Sequence, residues 1–196
     1  RASLLLENEA NRKPSAFDSN NYGFHVGQGA VLAIFEREHP NMRDPMAKFL
    51  GAYTAAENNR NPLGQQENGA GYVRAIEGAL AVAKLPADVV KVVKTHGTGT
   101  PVNNAAEKTA LDSVLNNFIA TSYKQRVGHT LGASGLLETV LLFNDMVKGY
   151  IPGIPNRTED DPVFISEDVP AQEGVILSLA AGMGSAFSAA LFSMGA

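Results

Sequence analysis

Cysteine is absent from this chain of 196 residues. That absence excludes a disulfide framework, a thiolate metal site and a thiol nucleophile supplied from within. The four histidines, at positions 25, 39, 96 and 129, include no closely spaced pair, so no metal site is expected either. No glycine cluster completes G-x-G-x-x-G, because Val102 stands where the third glycine would follow Gly97 and Gly99. No G-K-[ST] occurs, which excludes a P-loop. Neither sign of charge dominates: 16 Lys and Arg stand against 20 Asp and Glu, a net charge of −4. Such a surface gives no electrostatic ground for nucleic acid or an anionic membrane as partner. No apolar run approaches the ~20 residues of a membrane span. Arg1 stands where translation would place Met, and no signal peptide follows it. The expectation is a processed, trimmed or partial polypeptide, cytoplasmic by default.

What remains is a chain with 44% apolar residues, enough for one domain with a real core. Residues 1–21 are polar and irregular. Residues 22–36 predict a hairpin, with two short strands around Gly27-Gln28-Gly29. Ala47–Tyr53 predicts a strand, and 57–71 a long polar loop. Gly71–Leu85 predicts a helix with Val73, Ile76, Leu80 and Ala83 on one face, ended by Pro86. The β-branched run Val89–Thr95 is apolar on both faces, as in a strand covered on both sides. Residues 104–115 predict a helix capped by Asn104, with Glu107 as the reciprocal carboxylate. Ile119–Tyr123 predicts a strand. Gly132–Val147 predicts a helix apolar nearly all round, and hence buried between layers. Strands at Val163–Ser166 and Val175–Ala180 and a hairpin arm at Ser185–Ser193 complete the pattern. The glycine turn and apolar run at 27–35 echo those at 182–192, a hint of two related repeats.

The candidate chemistry lies at strand ends. His96 follows a strand and precedes Gly97-Thr98-Gly99-Thr100. It reads either as a buried strand-end histidine or as a ligand-facing one; sites in α/β sheets gather at the carboxyl ends of strands. The glycines allow close backbone approach, and Thr98 and Thr100 offer hydroxyls. Lys124 and His129 lie at the end of the next strand and in the turn beyond. Glu138 falls in the apolar helix, where an unpaired carboxylate is costly, so Lys124 and Glu138 are expected to pair. Ser134, in Gly-Ala-Ser-Gly-Leu, is one residue short of a nucleophile elbow.

Taken together these motifs resemble the β-ketoacyl-acyl carrier protein synthases. The resemblance rests on Phe17-Asp18, Asn21–Phe24, Gly27–Ala30, Glu67–Gly71, His96-Gly-Thr-Gly-Thr-Pro101, Glu107, Lys124, Gly128–Gly135 and Glu138, in that order along the chain. It implies a thiolase-like α/β fold of two related halves, with central helices between two sheets. Residues 1–45 would be the tail of the first half, with its closing hairpin at about 22–36, and 46–196 the second half. The family's active site is Cys-His-His. The resemblance makes His96 and His129 its histidines, Lys124 its lysine and Glu138 the lysine's partner. Thr98 and Thr100 would bind the phosphopantetheine arm. Gly182-Met183-Gly184 would be the loop at the acyl pocket, with the Met183 amide in an oxyanion hole.

The implied reaction is a decarboxylative Claisen condensation of an acyl thioester with a malonyl thioester, in fatty acid or polyketide assembly. It needs no cofactor; substrates ride on the phosphopantetheine of acyl carrier protein. The cysteine would come from the first half, on the same or another polypeptide, so the isolated chain is expected to be inactive. The implied partners are that first half and acyl carrier protein, in a homo- or heterodimer, with no nucleic acid and no membrane. The chain departs from the family in having Asn104 where Asp is common, and Gly-Met-Gly-Ser-Ala where Gly-Phe-Gly-Gly-Thr is usual. A second reading is a non-catalytic partner similar to the chain-length factors, and a third is a thiolase-fold binding protein without chemistry.

Overall fold

A computed structural model of the chain describes residues 13–57 and 68–194. Residues 1–12 and most of the expected polar loop at 57–71, Glu67 included, lie outside the described residues. Among those described, the strands β1 (Lys48–Ala56), β2 (Val90–Lys94), β3 (Ile119–Thr121), β6 (Val175–Gly182) and β7 (Ala186–Ser193) form one sheet. Its order is β1-β7-β6-β2-β3. β6, β2 and β3 run parallel, and β7 and β1 extend that trio as antiparallel strands. The short strands β4 (Tyr150–Ile151) and β5 (Val169–Pro170) pair separately.

Helices cover both faces, as a parallel sheet requires. The helices α1 (Ala70–Ala83) and α2 (Pro101–Val114) pack against one face. There Tyr72, Ile76, Leu80 and Leu111 meet Val93, Leu177 and Leu191. The helix α4 (Ser134–Val147) lies on the other, where Leu142, Phe143 and Met146 meet Val92, Ile176 and Phe192. Alternation along β2 therefore sends Val93 one way and Val92 and Lys94 the other. A single turn, α3 (Lys124–Val127), leads from β3 toward α4.

Several expectations are corrected. Residues 22–36 form no hairpin. Val26 makes a parallel bridge with His129, while Leu32 and Ile34 are 85% and 86% exposed. Among the described residues the apolar run at 30–35 has no strand beside it to pair with, so the echo between 27–35 and 182–192 is not realised as two like hairpins. The buried face of α1 is Tyr72, Ala75, Ile76, Ala79 and Leu80, with Val73 and Ala83 only partly buried. α2 begins at Pro101, not 104. Proline's fixed φ suits a first helical position. Thr100 is the N-cap residue, no side chain caps this end, and the Asn104–Glu107 box does not form. Val163–Ser166 is no strand but a single bridge, Phe164 to Ala120. α4 buries one face only; Leu136 and Val147 remain exposed. The last strands hold: β6 turns through Met183-Gly184-Ser185 into β7.

Candidate functional site

The sheet delivers two histidines to one place. His96 stands two residues beyond the end of β2, its side chain buried. The loop that follows is tightly held. Gly97 and Gly99 have φ of +54° and +76°, a region open to glycine at little cost. A Cβ on Gly99 would lie 2.5 Å from the carbonyl oxygen of Gly23 and 2.6 Å from that of Ser15. Neither backbone atom can rotate away. Gly99→Ala is therefore expected to cost about 2–4 kcal/mol, from left-handed strain plus overpacking. The check is a denaturant midpoint, and a loss under 1 kcal/mol would mean that the contact with 15–23 is loose.

Glu107 fixes the same loop from below. Its carboxylate accepts the backbone N–H groups of His96 (2.5 Å) and Gly97 (2.9 Å) and the amide of Asn103 (3.0 Å). Burial raises its pKa, and these hydrogen bonds oppose the rise. Glu107 thus carries the histidine, not the helix cap that its spacing predicts.

His129 is held from the other side. Its backbone N–H donates to the carbonyl of His25 (2.7 Å), and its backbone carbonyl accepts from the N–H of Gly27 (3.0 Å). The rings of Phe24 and His129 meet edge-on at 5.2 Å. The segment 24–27 is thus the wall behind His129. The two imidazoles lie 5.8 Å apart between centroids, nearly perpendicular.

The charged groups sit behind them. Lys124 donates to both oxygens of Glu138 at 2.8 and 3.1 Å, and both side chains are fully buried. The pair expected from sequence is present. Two further members were missed. Lys94, also fully buried, lies 3.4 Å from Glu138 and donates to the carbonyl of Leu179 at 2.6 Å. Ser134 donates to Glu138 at 2.6 Å and stands 3.2 Å from Nδ1 of His129. The sequence held a signal for both. A lysine in a strand covered on both faces needs an acceptor, and Ser134 lies one helical turn before Glu138. Ser134 is no triad nucleophile. In a triad the histidine sits between hydroxyl and carboxylate; here the hydroxyl sits between the other two.

Thr98 and Thr100 face each other, with hydroxyls 3.1 Å apart. Met183 and Gly184 form the β6–β7 turn, and Met183 is 78% exposed. β6 passes Lys94 and continues beyond the end of β2, which puts this turn at the His96 end of the sheet.

Burial holds both imidazoles neutral at physiological pH. It lowers His96 well below the usual histidine range, and Lys124, Lys94 and His129 add to the effect. Burial and then Lys124 bring His129 down to about 4, against a partly offsetting Glu138. The backbone N–H of Leu131 donates to Nδ1 of His129 at 3.2 Å. A neutral ring that accepts at Nδ1 carries its proton at Nε2, where it can donate.

The unfolded His129 ring binds a proton that the folded ring refuses. Stability is then fully present above about 6.5 and lost as pH falls toward about 4. The denaturant midpoint is expected to fall across that window, and to fall less steeply in His129→Gln. Equal slopes in the two proteins would contradict the burial argument.

The molecule is thus a layered α/β protein that presents two histidines and a buried Lys–Glu pair at one end of its sheet. Within that class, residues 46–158 match the family described as the beta-ketoacyl synthase C-terminal domain, and the chain belongs to it. It is 30% identical over 186 residues to the tetracenomycin polyketide synthase ketoacyl synthase alpha subunit of Streptomyces glaucescens, covering 89% of this chain and 44% of that protein. It is 29% identical over 168 residues to a 3-oxoacyl-[acyl-carrier-protein] synthase 2 of Synechocystis, covering 82% and 40%. The chain thus spans less than half the length of these curated relatives. Among solved structures it is similar to a type II polyketide ketosynthase in complex with its acyl-carrier protein, with a TM-score of 0.71 at 22% identity. That match covers 77% of this chain and 39% of the other. The likeness establishes the mixed α/β layered fold. Among the described residues, no helix is long and apolar enough to cross a membrane.

Proposed function

We propose that this chain supplies the histidine-bearing part of a β-ketoacyl-acyl carrier protein synthase acting in fatty acid or polyketide synthesis. The observation that carries the reading is the pair of neutral imidazoles 5.8 Å apart at one sheet end. Residues 1–45 are taken as the tail of a first half and 46–196 as the second half. The start of the family match at residue 46 supports that division.

A cysteine thiolate from the first half takes the acyl chain from acyl carrier protein and releases the carrier's thiol. A malonyl thioester then loses carbon dioxide, and the bonding pair of the broken C–C bond becomes an enolate. Negative charge gathers on the thioester oxygen, toward which His96 and His129 direct N–H donors. The enolate carbon attacks the acyl-enzyme carbonyl. The thiolate leaves, and the β-ketoacyl thioester remains on the carrier.

Lys124, paired with Glu138, holds positive charge behind the donors. Thr98 and Thr100 bind the phosphopantetheine arm, and the Met183 amide with Gly184 closes the acyl side. No step draws on a cofactor. The exposed Leu32, Ile34 and Phe35, with the open face of α4 at Leu136 and Val147, are the surfaces that the first half would cover. The similarity to a ketosynthase/chain length factor structure supports dimeric assembly.

The experiment is malonyl-thioester decarboxylation by the intact polypeptide or by this chain joined with its first half. Turnover that depends on His96 and His129 supports the reading. Turnover indifferent to both overturns it.

A further inference from the structure

Four elements meet at the Glu138 carboxylate. Glu138 and Ser134 come from α4, Lys124 from α3, Lys94 from β2 and the carbonyl of Leu179 from β6. Lys124 alone already balances the charge of Glu138. A second buried ammonium adds desolvation cost, and the other buried carboxylate in its field, Glu107, is already held by His96, Gly97 and Asn103, so a carboxylate partner of its own does not explain its presence. The charged and titratable groups facing this cluster are Lys94, Lys124, Glu138, His96, His129 and, from α2, Glu107.

We propose that Lys94 is a positioning residue of this site: its ammonium ties the Glu138 carboxylate on α4 to the Leu179 carbonyl on β6, and so fixes the carboxylate on which Ser134 and Lys124 converge behind His129. The proposal rests on the reading under Proposed function. It gives a reason for the position of Lys94. Val92 packs against α4, and Lys94, two residues on at the carboxyl end of β2, reaches both acceptors.

The same geometry has a charge consequence. Burial lowers Lys124 to about 8; Glu138 opposes that fall and Lys94 adds to it. Removing Lys94 leaves Lys124 sole owner of the carboxylate and moves its deprotonation to higher pH.

The test is Lys94→Met in the intact enzyme, with two readouts. The first is the pH profile of malonyl-thioester decarboxylation; the second is the ring nitrogen NMR signals of His129. The expected results are a kcat lowered by about tenfold to a hundredfold, KM within about twofold, an alkaline limb displaced upward, and shifted His129 signals. A merely structural lysine would lower stability and leave kcat and the His129 signals of the folded variant unchanged. Should the Met variant not fold, Lys94→Gln, which keeps an N–H donor, carries the same measurements.

Wild-type kcat, an unmoved alkaline limb and unchanged His129 signals in a folded variant would overturn the proposal. His129→Ala separates the two readings. If it leaves turnover intact, the condensing reading falls, while the His129 signals of the Lys94 variant still report on the tie. If it abolishes turnover while Lys94→Met changes nothing, the proposal alone falls.

Discussion

His129→Ala in the intact enzyme is expected to lower kcat for malonyl-thioester decarboxylation by roughly 10²–10³-fold, and His96→Ala by a similar factor. The magnitude follows from the role proposed for the rings. Both are neutral because burial disfavours the imidazolium and the neighbouring ammonium groups repel it. A neutral ring keeps one N–H, and for His129 the Leu131 amide at Nδ1 directs that proton to Nε2. In the proposed role such a donor strengthens as the thioester oxygen gains charge and contributes little to binding the ground state, in which that oxygen is a neutral carbonyl. KM should therefore change by only a few-fold. The double variant should cost less than the product of the two single losses, because both donors act on one oxygen. Activity within threefold of wild type in either single variant would remove that histidine from the proposed role.

Glu138→Ala is expected to be the most destabilising single change at the site, by about 3–5 kcal/mol. The carboxylate lies between two ammonium groups with no exposed surface, and its removal leaves both charges unmatched. For a chain of this size the loss corresponds to a Tm lower by about 6–20 °C. The dependence on pH has a definite sign. Lys124 has its folded pKa pushed down to about 8, so its contribution to stability is present above the unfolded value and lost as pH falls through about 8. Without Glu138 that ammonium is more strongly disfavoured and sheds its proton at lower pH. The deficit should therefore narrow as pH rises toward about 8. Calorimetry and denaturant titration between pH 6 and 9 measure both effects. A loss below 1 kcal/mol would show that the lysines find other acceptors.

The expected elements were legible where a segment's own neighbours in sequence settle its structure. The helix at 70–83, the strand at 90–94 and the β6–β7 hairpin follow from apolar period, Pro86 and the glycine turn. The pairing of Lys124 with Glu138 was legible from the cost of an unpaired carboxylate in an apolar helix. The expected hairpin at 22–36 failed because strand propensity makes no strand without a partner to accept its backbone bonds. The Asn104–Glu107 box failed because the buried N–H groups of His96 and Gly97 compete for the same carboxylate.

Composition, spacing and the two histidine motifs decided which chemistries were closed to this chain and which family it resembles, because those depend on residue type and order alone. The meeting of His96 with His129, the use of residues 24–27 as the wall behind one ring, the second lysine on Glu138 and the serine between His129 and that carboxylate were settled only by the fold. Each joins residues from separate elements, and the register that sets one strand beside another is a property of the whole sheet, not of any local window.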